Sequence, residues 1–205
     1  MVVRGYQSQV RAKHAEDTRR SIVEAAAALF AERGYARTSV AAVAAAAGVA
    51  VNTVYTSVGG KSALIMAMSE DGATDPVAVE TERGIAESEN PREILRILAD
   101  GTGQVRRRRQ QTIAILLDNR TADPDVAAAA DLATRVVRDR LRTVATRLLA
   151  VGGLRAGLTR KQVEQTLWFY FGFDAWRTVR DFGWSWKDSA DWLAEQSANA
   201  LLPPE

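Results

Sequence analysis

No cysteine occurs in the 205 residues, and histidine occurs once. The missing thiols exclude disulfide staples, thiol nucleophiles and cysteine-based zinc sites, and they fit a reducing compartment. With His14 as the sole imidazole, neither a histidine metal cluster nor a Ser/His pair can be assembled, so no metal, no cofactor and no catalytic set is expected. An apolar run of signal type is missing too, because Arg4, Arg11, Lys13, Glu16, Asp17, Arg19 and Arg20 interrupt the N-terminal segment. The longest uncharged run, 38–60, spans 23 residues, but ten of them are Gly, Ser, Thr, Asn or Tyr, which does not suit a membrane span. A cytoplasmic location without a membrane partner is expected.

What is present is enough apolar residue for a real core, 47% of the chain, and a charge that is unevenly spread. Residues 1–64 hold eight Lys or Arg against four Asp or Glu, a balance of +4, whereas 65–205 hold nineteen against twenty-one, a balance of −2. A basic head beside a mildly acidic body points to a polyanion partner for the head alone.

Residues 1–17 read as a flexible basic arm that can reach a neighbouring groove. Over 18–33, Ile22, Ala25, Ala26, Leu29 and Phe30 recur at helical spacing, and Gly34 stands where a left-handed cap is needed. Ser39 suits the N-cap of a second helix over 40–47, which Gly48 ends, and a third short helix follows over 51–56 with Val54 as its anchor. Gly59 and Gly60 stop it, and a fourth helix begins near Ser62. Further helices are predicted over 77–87, 92–107, 110–119, 124–151, 160–182 and 185–202, with breaks at 72–76, at Asn90 and Pro91, and at Gly152 and Gly153. Asp123 followed by Pro124 forms an N-cap and first-turn pair, and Thr159 caps the helix after it. No alternation of β type appears, so the fold class is all-α.

The stretch GVAVNTVYTSVGGKSAL, 48–64, has the layout of a helix-turn-helix that reads DNA. Two helices brace a third, whose side chains meet base edges in a major groove wide enough for a helix. An uncharged third helix avoids burying a charge against the bases. Asn52 is the best base reader, since a carboxamide pairs with adenine through two hydrogen bonds, and Val51 and Thr53 can contact a thymine methyl. Arg37 and Lys61 flank the uncharged run, so further phosphate attraction must come from Arg4, Arg11, Lys13, Arg19 or Arg20.

Residues 18–65 resemble the DNA-binding domain of the tetracycline-repressor-like (TetR) family of regulators. FAERGY resembles the end of that family's first helix, TSVAAVAAAAGV its second helix with the turn, and AVNTVYTSVGGKSALI its third helix and the start of the fourth. Ser57 and Val58 depart from the pattern, which usually has an aromatic or histidine and then phenylalanine. The resemblance implies an N-terminal three-helix DNA-binding domain over 18–64 and a larger helical ligand-binding and dimerisation domain over 65–205. It implies that Tyr55 and Lys61 meet the phosphate backbone, and that Arg37, Thr38, Ser39, Thr56 and Ser57 complete the interface. The partners it implies are a double-stranded DNA operator, palindromic in form, and a second copy of the chain. A small apolar or aromatic effector would act as the third partner, altering the spacing of the two heads of a repressor.

LWFYFGF, 167–173, is apolar on every side and must be buried on more than one, with Trp176, Trp184, Trp186 and Trp192 nearby. Core, pocket and dimer surface all use such residues. For a pocket, the candidates are Leu95, Leu98, Ile113, Leu117, Phe169, Phe173 and Trp176; for a dimer surface, Trp168, Phe171, Ala175, Val179 and Trp192. The four arginines at 106–109 point in four directions on a helix and read as a solvated cluster near its C-terminus. Asp118, Asp123 and Asp125 lack metal-loop spacing and read as capping residues. Two other readings compete with the regulator: an enzyme with an all-helical pocket, which lacks a nucleophile, base and metal set, and a dimerisation module blind to ligand.

Overall fold

The structure is a computed structural model that describes residues 3–70 and 75–204. The first two residues of the expected arm, and most of the break expected at 72–76, lie outside the described residues. Eleven helices and no strand are found among those described: α1 (Val3–Arg33), α2 (Val40–Ala46), α3 (Val51–Ser57), α4 (Lys61–Glu70), α5 (Pro76–Glu87), α6 (Pro91–Arg108), α7 (Gln110–Asn119), α8 (Pro124–Val151), α9 (Arg160–Phe171), α10 (Phe173–Asp181) and α11 (Trp186–Leu201). The class is all-α.

The chain forms two compact units, one of residues 1–71 with 111–132, the other of 72–110 with 133–205. In the first, α1 packs on α2, α3 and α4, and Ile22, Phe30, Val43, Val54, Leu64 and Ile65 are buried. This compact unit holds the expected head, 18–64, together with α7 and the first turns of α8. Asp123 caps α8 by accepting from the N–H groups of Asp125 and Val126 (2.9 and 3.2 Å), and Asp125 accepts a hydrogen bond from the Ser62 hydroxyl. In the second unit, α6 packs against α5, α9 and α11, and Leu95, Leu148, Leu167, Phe171, Trp176 and Leu193 are buried in one core.

Two differences from the sequence reading have physical causes. Where a flexible arm is expected, α1 runs back to Val3, because the segment is rich in Arg, Lys, Gln, Ala and Glu, all strong helix formers, and holds no proline. The helix predicted over 160–182 is two helices, α9 and α10, parted at Gly172. There ψ swings to −178°, and a Cβ would stand 2.5 Å from the Trp168 carbonyl oxygen, so a side chain at 172 does not fit the break.

Candidate nucleic-acid interface

The uncharged run folds as two short helices bent by 99°, which is the angle range of a helix-turn-helix. Ser39 caps α2 by accepting from the Ala42 N–H at 3.1 Å, and Gly48, at φ +67°, supplies the left-handed residue that the sharp turn requires. Val54 is buried and seats α3. Its carbonyl accepts from the N–H groups of Val58 and Gly59, closing the helix. The opposite face presents Val51, Asn52, Tyr55 and Thr56, a set at i, i+1, i+4 and i+5 that helical geometry places together. Tyr55 is 54% exposed, Thr53 is half-buried at the edge, and no charged residue interrupts this face.

Other expected contacts fall differently. Thr38 is buried, and its hydroxyl donates to the carbonyls of Leu29 and Gly34 (3.2 and 3.0 Å), tying the end of α1 to the start of α2 instead of facing outward. Lys61 turns back onto the head. Its Nζ donates to the Ala36 carbonyl at 3.1 Å and lies 4.2 Å from the centre of the Tyr35 ring, so the ammonium already has an acceptor and an aromatic face. Arg37 is exposed, with Nε donating to the Arg33 carbonyl at 2.7 Å. Ser39 is exposed, Ser57 half-buried, and the Thr56 hydroxyl donates back to the Asn52 carbonyl at 3.0 Å.

Tyr35 was not singled out from the sequence, although it closes the FAERGY stretch. It is buried edge-on to Phe30, 5.1 Å between ring centres. Its phenol is pushed up to about 12 by burial first, then by the Asp123 and Asp125 carboxylates, with the Ser62 hydroxyl acting the other way. These residues are far apart in sequence, which is why no local pattern marks them.

Residues 22–68 match the sequence model described as bacterial regulatory proteins, tetR family. The head of the chain is therefore similar in sequence to that of the tetR family. Regulators of this family are helix-turn-helix proteins, generally DNA-binding transcriptional repressors and generally non-enzymatic. No curated protein matches the chain in sequence. Among solved structures, NalD, the secondary repressor of the MexAB-OprM multidrug efflux pump in Pseudomonas aeruginosa, is 21% identical, with a TM-score of 0.73 over 94% of this chain and all of that one. FadR from Bacillus subtilis in complex with stearoyl-CoA is 18% identical, with a TM-score of 0.71 over 86% of this chain and 96% of that one. The SmeT–triclosan complex is 21% identical, with a TM-score of 0.70 over 91% and 92%. These likenesses extend the tetR fold through the helical body.

In the helical body, the pocket and dimer candidates are redistributed. Phe169 is 71% exposed and so does not line an interior pocket; it borders an open groove with Trp168, Phe173, Ala175, Phe182 and Trp192. Phe171 and Val179 are buried in the core, so neither lies on an outer surface. Leu95 and Trp176 are also in the core, and Trp176 lies over Gly103, where a Cβ would come within 2.7 Å of its ring. Leu98 lines a small cavity among α5, α6 and α8, while Ile113 and Leu117 belong to the unit that holds the head. Nor are the arginines at 106–109 a solvated cluster throughout. Arg106 is buried, Arg107 is exposed, and Arg108 and Arg109 lie 3.6 and 3.5 Å from buried Asp75, which also caps α5 through the Val77 N–H at 3.0 Å.

Proposed function

We propose that this chain is a cytoplasmic, ligand-responsive repressor that binds a palindromic operator as a homodimer, reading DNA with residues 18–64 and sensing an effector with 65–205. The observation that carries the reading is the uncharged outer face of α3, with Asn52 and Tyr55 exposed and Val54 seated behind them. Asn52 pairs with an adenine, Val51 and Thr53 contact thymine methyls, and Arg37, Ser39, Tyr55, Thr56 and Ser57 hold the backbone. Lys61 contributes its charge to the field near the phosphates.

The exposed groove bordered by Phe169 and Trp192, with Trp168 and Ala175, supports a dimer through α9, α10 and α11, since large apolar side chains in the open mark an interaction surface. An apolar effector is supported by the likeness to FadR and SmeT, which hold stearoyl-CoA and triclosan. It acts by binding more tightly to the dimer whose head spacing does not fit DNA.

Selection of bound sequences from a random DNA pool tests the reading. The expected product is a two-fold consensus with half-sites about 10 base pairs apart, or a multiple of that. Asn52→Ala should relax one position in each half-site, at a cost of about 1–3 kcal/mol. Recovery of no preferred sequence, or a monomer by sedimentation at micromolar concentration, overturns it.

A further inference from the structure

We propose that Asp125 is a positioning residue for DNA reading: its carboxylate holds the Ser62 hydroxyl, and through the start of α4 that tie fixes the pose of α3. The proposal rests on the DNA-reading role proposed above for α3 and names the residues that hold that helix in place from behind. Asp125 stands in the first turn of α8, where a carboxylate ordinarily serves the positive end of its own helix. Here the capping is done by Asp123, which accepts from the N–H groups of Asp125 and Val126. The Asp125 carboxylate is directed instead to Ser62, 63 positions away and on another helix.

The start of α4 needs such a tie. Gly60, the residue before it, has no side chain with which to cap the helix. The first residue of α4, Lys61, is fixed to the loop between α1 and α2 through the Ala36 carbonyl at 3.1 Å, and the second, Ser62, is fixed to α8. Both ties border the buried Tyr35. Lys61 Nζ lies 4.2 Å from the centre of its ring, and its phenol lies beside Ser62, in the field of the Asp123 and Asp125 carboxylates.

The turn from α3 to α4 has no slack. Three residues, 58–60, separate the two helices. The N–H groups of Val58 and Gly59 both donate to the Val54 carbonyl, at 2.9 and 3.1 Å, and the Leu64 N–H donates to the Gly60 carbonyl at 3.0 Å. Gly59 takes φ +110°, and a Cβ there would lie 2.8 Å from that of Ala63. A shift of the first turn of α4 is therefore carried into α3 and not absorbed between them. Val54 seats the middle of α3, and the tie at Ser62 sets where its last turn, with Tyr55 and Thr56, comes to lie.

Attraction to the DNA backbone needs only charge, whereas base reading needs α3 in one pose, so loss of the tie should lower discrimination. Asp125→Asn and Asp125→Ala remove the same negative charge and so strengthen binding to any duplex alike. Only asparagine keeps an oxygen that can accept from Ser62.

The ratio of affinities of the full-length chain for its selected consensus duplex and for a scrambled duplex, at one salt concentration, tests this. Ser62→Ala and Asp125→Ala should each lower the ratio about tenfold, the scale of one charge-assisted hydrogen bond. Asp125→Asn should stay within about threefold of the parent, and the double alanine variant should fall no further than either single one. An unchanged ratio in the alanine variants, even with a lower melting temperature, shows a merely structural contact and overturns the proposal. So does an asparagine variant that falls as far as the alanine one. Should Asp125→Ala fail to fold, Ser62→Ala decides by itself. If the parent selects no consensus, the regulator reading falls, and amide exchange at 58–64 judges the tie: faster exchange in both single alanine variants, with the asparagine variant like the parent, upholds it, and one rate in all four proteins overturns it.

Discussion

Alanine placed at Gly84 and at Gly101 should move the stability of one pair of helices in opposite directions. Both glycines lie inside helices, Gly84 in α5 and Gly101 in α6, and these two helices pack on each other. Propensity alone favours alanine at either site by about 1 kcal/mol. At Gly84 an added Cβ would lie 3.5 Å from the nearest atom of Ile97, an ordinary contact, so the propensity gain survives. At Gly101 it would meet Thr81, at 2.0 Å from Oγ1, 2.5 Å from Cγ2 and 2.8 Å from Cβ. Turning the Thr81 side chain relieves the first two contacts but not the third, because Cβ is fixed to the backbone. The helices must separate, and overpacking of this kind costs about 1–3 kcal/mol.

Gly84→Ala is therefore expected to stabilise by about 0.5–1 kcal/mol and Gly101→Ala to destabilise by about 1–2 kcal/mol net of propensity. For a chain of this size that is about +1 to +4 °C against about −2 to −8 °C in melting temperature. All five tryptophans lie at position 168 or beyond, in the same compact unit as these helices, so their fluorescence reports this unit's unfolding without the head's. Thr81→Ala combined with Gly101→Ala should recover part of the loss, since two of the three contacts go and the Cβ contact stays. A Gly101→Ala protein as stable as the parent would refute the close approach of α5 to α6 on which the estimate rests.

Two further outcomes are expected in the head. Tyr35 titrates at about 12 in the folded chain, burial being the main cause, against ~10 when unfolded. Its contribution is then complete below pH 10 and lost as pH rises towards 12; the stability difference between the parent and Tyr35→Phe, from urea titrations, should shrink over that window, and a flat difference rejects the assignment. Val54→Ala should cost about 1–3 kcal/mol and unseat α3, seen as loss of amide protection at 51–57 before the rest of α1 and α4; uniform loss across the head would mean that Val54 is not what holds α3.

Local chemistry made most of the head legible. Ser39, Gly48 and Val54 each announce a cap, a turn or an anchor within a few residues of where it acts, and the structure uses them in those roles. What the sequence hid depends on distant partners. Lys61 looks like a phosphate ligand until it meets Ala36 and Tyr35, 25 and 26 positions away. Thr38 looks exposed in a polar loop until its hydroxyl finds Leu29. The break at Gly172 was visible as a glycine in an apolar run, yet helical periodicity continues across it, and only the missing room beside the Trp168 carbonyl shows why the chain must turn. Arg106 was the least legible residue, since four consecutive arginines at a helix end read as a solvated cluster and nothing local says that one of them faces inward.

On the proposed reading, the extension of α1 to Val3 alters where the head's affinity for DNA would come from. A flexible arm of the kind that the sequence suggests can thread a minor groove of about 6 Å, but a helix with its side chains is ~10–12 Å across and cannot. The cations at Arg11, Lys13, Arg19 and Arg20 are carried on that helix, where Arg20 already lies 3.7 Å from Asp17. They can reach phosphates only along the outside of the duplex. With Lys61 held against Ala36, the proposed reading leaves Arg37 as the cation beside the uncharged run for a fixed phosphate contact, and the other positive charges of the head would act mainly as a field. On the proposed reading, specificity would then depend on the fit of an uncharged α3 in the major groove, so the seat of that helix on Val54 would matter to DNA binding as much as the side chains it presents.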